Sequence, residues 1–366
     1  MRELHPKIKS TKELSKEAFT DLKSFQVGDK KLVKTGKEFI DCHIGGVAPS
    51  QLILLGGGSG SGKTKMAMDM VNNILDVNIN PEANDYVTLE FMLEMKFLDL
   101  VLREAHALTK KKKSEILTEE FNEDHKVLMN EYYKALNDGR RYIVDETINS
   151  KEFLEISESF CEQHKDKKNI TILIDHLLLI LSDQRGEDPL EKVATYTNIL
   201  RKKFNNVTFL YISQLNRSAY SVIKEKSNDM IPTVATIYGS SHFEFLSSYV
   251  AIITNPFRLG VQEYMKVKKD RYSYLSEFMT SPDAKNNVSF KTLGNITIHV
   301  VKTRESDHPY NNLYIEKMDL SEEQLNKMKM DVQAEEKAPQ IEIPNFDYQM
   351  GRDVKPLIDL TEAFDV

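Results

Sequence analysis

Short apolar runs alternate along most of the chain with segments in which apolar residues recur every three to four positions. The short runs indicate buried strands, and the longer recurrence indicates amphipathic helices. We predict strands at 52–55, 86–91, 142–144, the start of the apolar run 170–181, 207–213, 249–254, 296–302 and 313–317. We predict helices at 11–25, 65–75, 97–108, 114–136 and 190–203, and one that begins near residue 150. This alternation predicts an α/β fold with a mostly parallel central sheet flanked by helices.

The chain starts with a short amphipathic pattern. Ser10 and Glu13 have the spacing of a capping box, and apolar residues follow at helical intervals. We therefore predict an N-terminal linker helix at 11–25, within a segment, 1–34, that precedes the main domain at 35–325. This helix packs either on its own domain or on a neighbouring subunit, and the sequence leaves both open.

The end of the chain differs in composition. Residues 331–366 contain nine acidic and three basic side chains, a net charge of −6, which leaves −1 for the rest of a chain whose total is −7. With scattered prolines and no sustained period, we predict that 326–366 is a largely disordered acidic tail. It keeps the protein solvated, lies as a strap on its own domain, or docks a partner protein. A nearly neutral body does not exclude a nucleic-acid partner.

Composition narrows the cellular setting. The 40% hydrophobic and 29% charged residues are typical of a soluble globular protein. No apolar run approaches the roughly 20 residues of a membrane span, and the first residues lack the apolar core of a signal peptide. Cys42 and Cys161 are too few and too far apart for a disulfide framework or a zinc site. We expect a cytoplasmic protein in a reducing interior, without a membrane partner.

A glycine-rich loop follows the first predicted strand. Residues 52–64 read LILLGGGSGSGKT and match G-x-x-x-x-G-K-T. Backbone N–H groups of such a loop close on phosphate oxygens, Lys63 reaches the β and γ phosphates, and Thr64 holds Mg²⁺. The strand before and the helix after favour this interpretation over a chance glycine turn. The predicted ATP-binding residues are Gly57, Gly58, Ser59, Gly60, Ser61, Gly62, Lys63 and Thr64.

Two carboxylates complete a predicted hydrolytic site. Asp175 ends an apolar strand, where it can hold the Mg²⁺ ion, although such a residue can also cap a helix. Glu94 closes the strand that follows the P-loop helix and is the candidate base that orients the attacking water. Glu90 competes for this role, but it lies in the middle of the strand.

Four motifs in a fixed order resemble a known family. They are FMLEM at 91–95 with Arg103 nine residues after Glu94, LIDHLLLI at 173–180, SQLNR at 213–217 and VKTR at 301–304. The series resembles the RecA-like ATPase domain of DnaB-type replicative DNA helicases, from about Thr35 to Met318. We expect only the linker-like helix before the core, because the roughly 34 residues that precede it in this sequence are too few for the family's amino-terminal helical domain.

The resemblance implies a role for each motif. Glu94 activates water, Asp175 serves Mg²⁺, and Gln214 senses the γ-phosphate and couples it to DNA loops. Lys302 and Arg304 match paired basic residues that are supplied to the neighbouring subunit's nucleotide, with Arg304 as the arginine finger. The expectations that follow are a RecA-like P-loop domain, a homo-oligomeric ring with a hexamer as the expected form, a single-stranded DNA partner and, where the acidic tail docks a partner, a replication partner protein.

The segment 232–253 departs from the family pattern. It aligns with a DNA-contacting loop that has an arginine three residues before a glycine, where this chain has Thr236 before Gly239. Past the glycine, the family's Glu-Gln pair is replaced by His242, Phe243 and Glu244. Basic residues remain just upstream at Arg217, Lys224 and Lys226. How this loop meets DNA is therefore left open.

The histidine and aromatic residues of this segment have ordinary interpretations. We interpret His242 as a satisfied core or surface histidine and predict that Phe243 and Phe245 belong to the core, because no interleaved basic residues lie nearby.

These observations predict an ATP-dependent, ring-shaped replicative helicase. One alternative is a recombinase-like or loader-like DNA-binding ATPase that does not unwind. The other is a protein in which nucleotide only switches assembly, which Glu94 argues against because a switch without hydrolysis needs no base.

Overall fold

A computed structural model describes residues 8–28, 30–216, 232–259, 261, 263–268, 287–304, 312–318, 325–326 and 329. Within them the strands are β1 (Leu52–Gly57), β2 (Tyr86–Met92), β3 (Arg141–Val144), β4 (Asn169–Asp175), β5 (Val207–Gln214), β6 (Tyr249–Thr254), β7 (Glu263–Lys268), β8 (Asn287–Lys291), β9 (Asn295–Thr303) and β10 (Asn312–Lys317). The main sheet has the order β10-β9-β6-β1-β5-β4-β2-β3. Its strands are parallel from β3 to β6, and β9 is antiparallel to both of its neighbours.

Helices cover both faces of this sheet. The helices among the described residues are α1 (Thr11–Gln26), α2 (Glu38–Ile44), α3 (Lys63–Leu75), α4 (Phe97–Thr109), α5 (Lys113–Thr118), α6 (Glu123–Leu136), α7 (Ser150–Gln163), α8 (Pro189–Lys203) and α9 (Ser240–Phe243). The alternation of side chains along β1 shows how the core divides. Leu54 packs in the cluster that includes residues of α7 and α8, whereas Leu55 packs in the cluster beneath α3. The predicted α/β fold with a mostly parallel sheet is confirmed.

Some elements differ from their predicted form. The helix predicted at 114–136 is two helices, α5 and α6, and helix α2 and the separate β7–β8 hairpin were not predicted. The N-terminal helix is present, and Phe19 on it is 70% exposed. The acidic tail, apart from residues 326 and 329, lies outside the described residues. Among the described residues, no helix combines the length and the apolar character that crossing a membrane requires.

Candidate nucleotide site

The glycine-rich loop joins β1 to the first turn of α3. The helix begins at Lys63, two residues earlier than predicted, after Gly62 in the left-handed conformation with φ of 93°. Gly57 has no room for a side chain, because a Cβ there would lie 2.5 Å from the backbone oxygen of Ile253. The free N–H groups at the start of α3 therefore face a loop that fits phosphate.

Lys63 lies within this loop. It is 8% exposed, and its Nζ donates a 2.6 Å hydrogen bond to the backbone oxygen of Gly58. Burial lowers the pKa of Lys63, and the nearby charges of Asp175 and Glu94 oppose that effect. The ammonium is thus held inside the loop, where it can exchange a backbone oxygen for a phosphate oxygen.

Asp175 is a buried carboxylate without sufficient hydrogen bonding. It ends β4, is 2% exposed, and neither carboxylate oxygen has a hydrogen-bond partner of normal geometry. Burial raises the pKa of Asp175 to about 6, which the adjacent Thr64 hydroxyl and Lys63 partly offset. Two free buried oxygens beside a threonine hydroxyl are the oxygen donors that Mg²⁺ prefers, so the residues fit this ion.

The structure separates the two candidate bases. The Glu90 carboxylate is fully buried and accepts two hydrogen bonds from Arg141, of 2.9 and 2.7 Å, and one of 2.7 Å from Thr88. It has no access to a nucleotide. Glu94 lies two residues beyond the end of β2, with a side chain that is 53% exposed at the cleft beside the P-loop. Its position fits the predicted base.

Gln214 lies at the centre of the site. It ends β5, between β1 and β4, and its register partner in β1 is Gly57. Its side-chain Nε2 lies 3.2 Å from Nε2 of His176, and its backbone oxygen accepts a 2.8 Å hydrogen bond from the Tyr238 N–H. The residue therefore touches the nucleotide site on one side and the 232–245 loop on the other.

These side chains surround one cleft of about 140 Å³. It is lined by Ser59, Gly60, Gly62, Lys63, Thr64, Glu94, Met95, Arg103 and Gln214. The carboxyl ends of β1, β2, β4 and β5 are adjacent in the sheet, which is why residues distant in sequence meet at this edge.

Three residues at the site were not predicted to act there. The half-buried Arg103 of α4 brings a positive charge to the cleft, and its only sequence signal was its spacing from Glu94. Arg258 lies directly against Gly60, where a Cβ would overlap its guanidinium group, and no sequence signal indicated it. His176 follows Asp175, and only its proximity to that residue could have suggested a role. Burial lowers the pKa of His176.

Lys302 and Arg304 lie away from this cleft. In the sheet, Thr303 pairs with Tyr249, the first residue of β6, whereas the last residue of β6 reaches the P-loop edge. Tyr249 and Thr254 are five positions apart along β6, so the two edges of the sheet are separated by about 17 Å. Lys302 donates to the backbone oxygen of Glu244, and its pKa is lowered by burial and then by Arg304. The two cations thus belong to the opposite edge of the sheet.

The described part of the altered loop is anchored to the fold. His242 lies 3.0 Å from the Asp188 carboxylate at the start of α8, which agrees with its interpretation as a satisfied histidine. Phe243 is buried against Tyr211, as predicted for a core residue. Phe245, predicted to be core, is instead 76% exposed, because it lies in the turn between α9 and β6. The residues Arg217, Lys224 and Lys226 lie outside the described residues.

Comparison with known proteins agrees with this geometry. The solved ATPase domain of another protein has the same fold, with a TM-score of 0.58 and 15% identity over 84% of this chain and 99% of that one. A DnaB-like replicative helicase, solved with its interactions with primase, gives a TM-score of 0.56 and 15% identity over 84% of this chain and 64% of that one. No curated protein sequence matches the chain. Residues 33–333 match the family described as DnaB-like helicase C terminal domain. The chain therefore belongs to the DnaB-like helicases and is an ATP-hydrolysing helicase enzyme.

Proposed function

We propose that this chain assembles into a ring, in which ATP hydrolysis moves single-stranded DNA through the centre and separates the duplex during replication. The observation that carries the proposal is the position of Lys302 and Arg304, at the edge of the sheet opposite their own P-loop. Basic residues at that edge suit the nucleotide of a neighbouring copy, and a head-to-tail contact of this kind closes into a ring when its rotation permits.

Within one copy, the P-loop residues bind the triphosphate. Backbone N–H groups at the start of α3 and the Lys63 ammonium hold its oxygens, and Thr64 with Asp175 would hold Mg²⁺. When bound, Mg²⁺ neutralises charge on the phosphates and lowers the barrier to their transfer. These residues make binding strong and fix the orientation of the γ-phosphate.

Glu94 and Arg103 act on the reacting end. Glu94 accepts a proton from, or orients, the water that attacks the γ-phosphate, and its exposed carboxylate has room for that water. Arg103 adds positive charge at the same cleft. Within the neighbouring copy's site, Arg304 stabilises the charge that develops on the departing phosphate, with Lys302 beside it.

Gln214 passes the state of the nucleotide to the DNA loop. Its amide can donate to a γ-phosphate oxygen, and its backbone oxygen is bonded to Tyr238 in the 232–245 loop. Loss of the γ-phosphate would remove a hydrogen-bond partner of the Gln214 amide. In this proposal, the change passes through Gln214 to the 232–245 loop, which contacts DNA. Movement of this loop, repeated around the ring, would carry the strand.

A specific observation favours a second candidate. Thr236 stands in the DNA-contacting loop, and its hydroxyl donates a 2.6 Å hydrogen bond to the backbone oxygen of Thr233 instead of offering a cation to DNA. A recombinase-like or loader-like ATPase would need only binding at this loop, without forced passage of a strand.

Strand displacement on a forked DNA duplex separates these candidates. The proposal predicts that wild type releases the strand with ATP and that Lys63→Ala does not. ATP hydrolysis stimulated by single-stranded DNA, with no strand release, would favour the second candidate.

A further inference from the structure

We propose that His176 is a positioning residue, which holds the side-chain amide of Gln214 with its nitrogen available to the nucleotide cleft. This inference rests on the proposed function in one respect, because it takes Gln214 to be the residue that responds to the terminal phosphate.

The contact between the two side chains defines their hydrogen-bond roles. His176 is 5% exposed, and its Nε2 lies 3.2 Å from the Gln214 Nε2. An amide nitrogen only donates, so the ring nitrogen accepts and carries no proton. The second hydrogen of the same amide nitrogen remains for the cleft that Gln214 lines.

The hydrogen bond to the His176 ring nitrogen bears on which end of the Gln214 amide faces the phosphate. Phosphate oxygens accept hydrogen bonds, so a useful sensor must present its nitrogen to them. If the amide of Gln214 rotated by about 180°, its oxygen would face the lone pair of the ring nitrogen, and a hydrogen bond would form again only if the ring proton moved from Nδ1 to Nε2. The ring with its proton on Nδ1 therefore favours the orientation in which the amide nitrogen, and not the amide oxygen, is available to the nucleotide.

The fold itself gains little from His176. Its Nδ1 is buried and has no hydrogen-bond partner. Since Nε2 accepts, Nδ1 carries the proton, and a buried donor left unpaired destabilises a folded protein. A leucine of similar size would fill this space without that cost. The contact with Gln214 is what the histidine adds.

The same ring also faces the proposed base. Its Nε2 lies 3.9 Å from Oε2 of Glu94. The same ring nitrogen therefore lies near both the Glu94 carboxylate and the Gln214 amide. His176 thus contacts Gln214, the proposed phosphate sensor, and Glu94, the proposed base. The P-loop lysine, Lys63, is held by a different contact, its hydrogen bond to the backbone oxygen of Gly58.

A double-mutant cycle tests this role. ATP hydrolysis is measured with single-stranded DNA present for wild type, His176→Leu, Gln214→Ala and the double variant. We expect His176→Leu to lower kcat about tenfold and to change KM for ATP by less than about twofold. In the Gln214→Ala background, His176→Leu should cause no further loss, because the amide it orients is gone.

A conservative variant supplies the control. His176→Gln can place an amide oxygen near the position of the lost ring nitrogen, so it should recover most of the wild-type kcat. Thermal unfolding should show that His176→Leu is at least as stable as wild type.

Two results would overturn the inference. One is an equal fall in kcat in both backgrounds, and the other is a loss of stability in His176→Leu that parallels the loss of activity. Strand displacement by wild type tests the proposed function separately. If wild type hydrolyses ATP without releasing the strand, the proposed function fails while the cycle still decides the role of His176.

Discussion

Gln214, the last residue of β5, is the register partner of Gly57, where the P-loop begins. Its backbone oxygen accepts the N–H of Tyr238, and a β-bridge joins Leu215 to Ile237 immediately beyond. The phosphate-binding loop and the described part of the 232–245 loop therefore meet at one residue. A shift of β5 relative to β1 reaches both, which gives the candidate nucleotide site and this loop a physical connection.

Glu94 and Glu90 should respond differently to the same substitution. Glu94→Gln removes the proposed base, so kcat for ATP hydrolysis should fall by about 10²-fold or more while ATP binding persists. Glu90→Gln leaves the buried Arg141 without its ion pair, and the free energy of unfolding should fall by about 3 kcal/mol. Hydrolysis assays, nucleotide binding and chemical denaturation of both variants check this. A Glu94→Gln protein with normal turnover would exclude it as the base.

Asp175 should make stability depend on pH in the protein without nucleotide. Burial raises its pKa from the ordinary 3.8 to about 6, so the folded protein binds more protons than the unfolded chain between these values. Its contribution to stability therefore falls as pH rises through this window and stays low above it. Asp175→Asn should be more stable than wild type at about pH 7.5, by about 3 kcal/mol, and should lose hydrolysis.

The difference in unfolding free energy between the two proteins, measured by denaturation from about pH 4 to pH 7.5, is the relevant quantity. It should vanish near pH 4. A difference that is constant across the range would show that Asp175 is not the titrating group.

Neighbouring glycines in β1 should differ in their tolerance of alanine. At Gly57 a Cβ would lie 2.5 Å from the backbone oxygen of Ile253, whereas at Gly56 it would meet the side chain of Ile237 at 2.7 Å. A side chain can turn away and a strand backbone cannot, so Gly57→Ala should weaken ATP binding at least about tenfold. Gly56→Ala is the matched control and should lose less. Equal losses, measured by nucleotide titration, would contradict this interpretation of the loop.

Sequence periodicity predicted the central strands well because β1, β2, β4, β5 and β6 are mainly apolar runs that are buried on both faces, as in 52–55 and 249–254. The β7–β8 pair was missed because EYMKVK is interrupted by Lys266 and NVSFK by Ser289, so neither segment is a continuous apolar run. The prediction that Phe245 is buried was wrong because an aromatic residue in a turn has no periodic context. Local sequence does not determine which side of a turn faces the solvent.

Some residues of the candidate site could be predicted from the sequence and others could not, because only some of them have a recognisable local position. Residues at or just beyond the ends of strands, such as Asp175 and Glu94, can be assigned to the edge of a parallel sheet from sequence alone. Arg258 and His176 lie at the site through contacts across the fold, with Gly60 and Gln214 respectively, and these contacts depend on strand order. The choice of Glu94 over Glu90 rested on position along the strand, and the ion pair with Arg141 supplies the physical reason.

The most direct test of a shared active site mixes two inactive variants. Lys63→Ala lacks a working P-loop and keeps Arg304, whereas Arg304→Ala keeps the P-loop and lacks the finger. Each alone should hydrolyse ATP at a small fraction of the wild-type rate. In rings formed from equal amounts, about one quarter of the interfaces would combine an intact P-loop with an intact Arg304. Hydrolysis should then return to about a quarter of the wild-type rate. A mixture no more active than its two components, under conditions where subunits exchange, would contradict an active site shared between neighbouring copies.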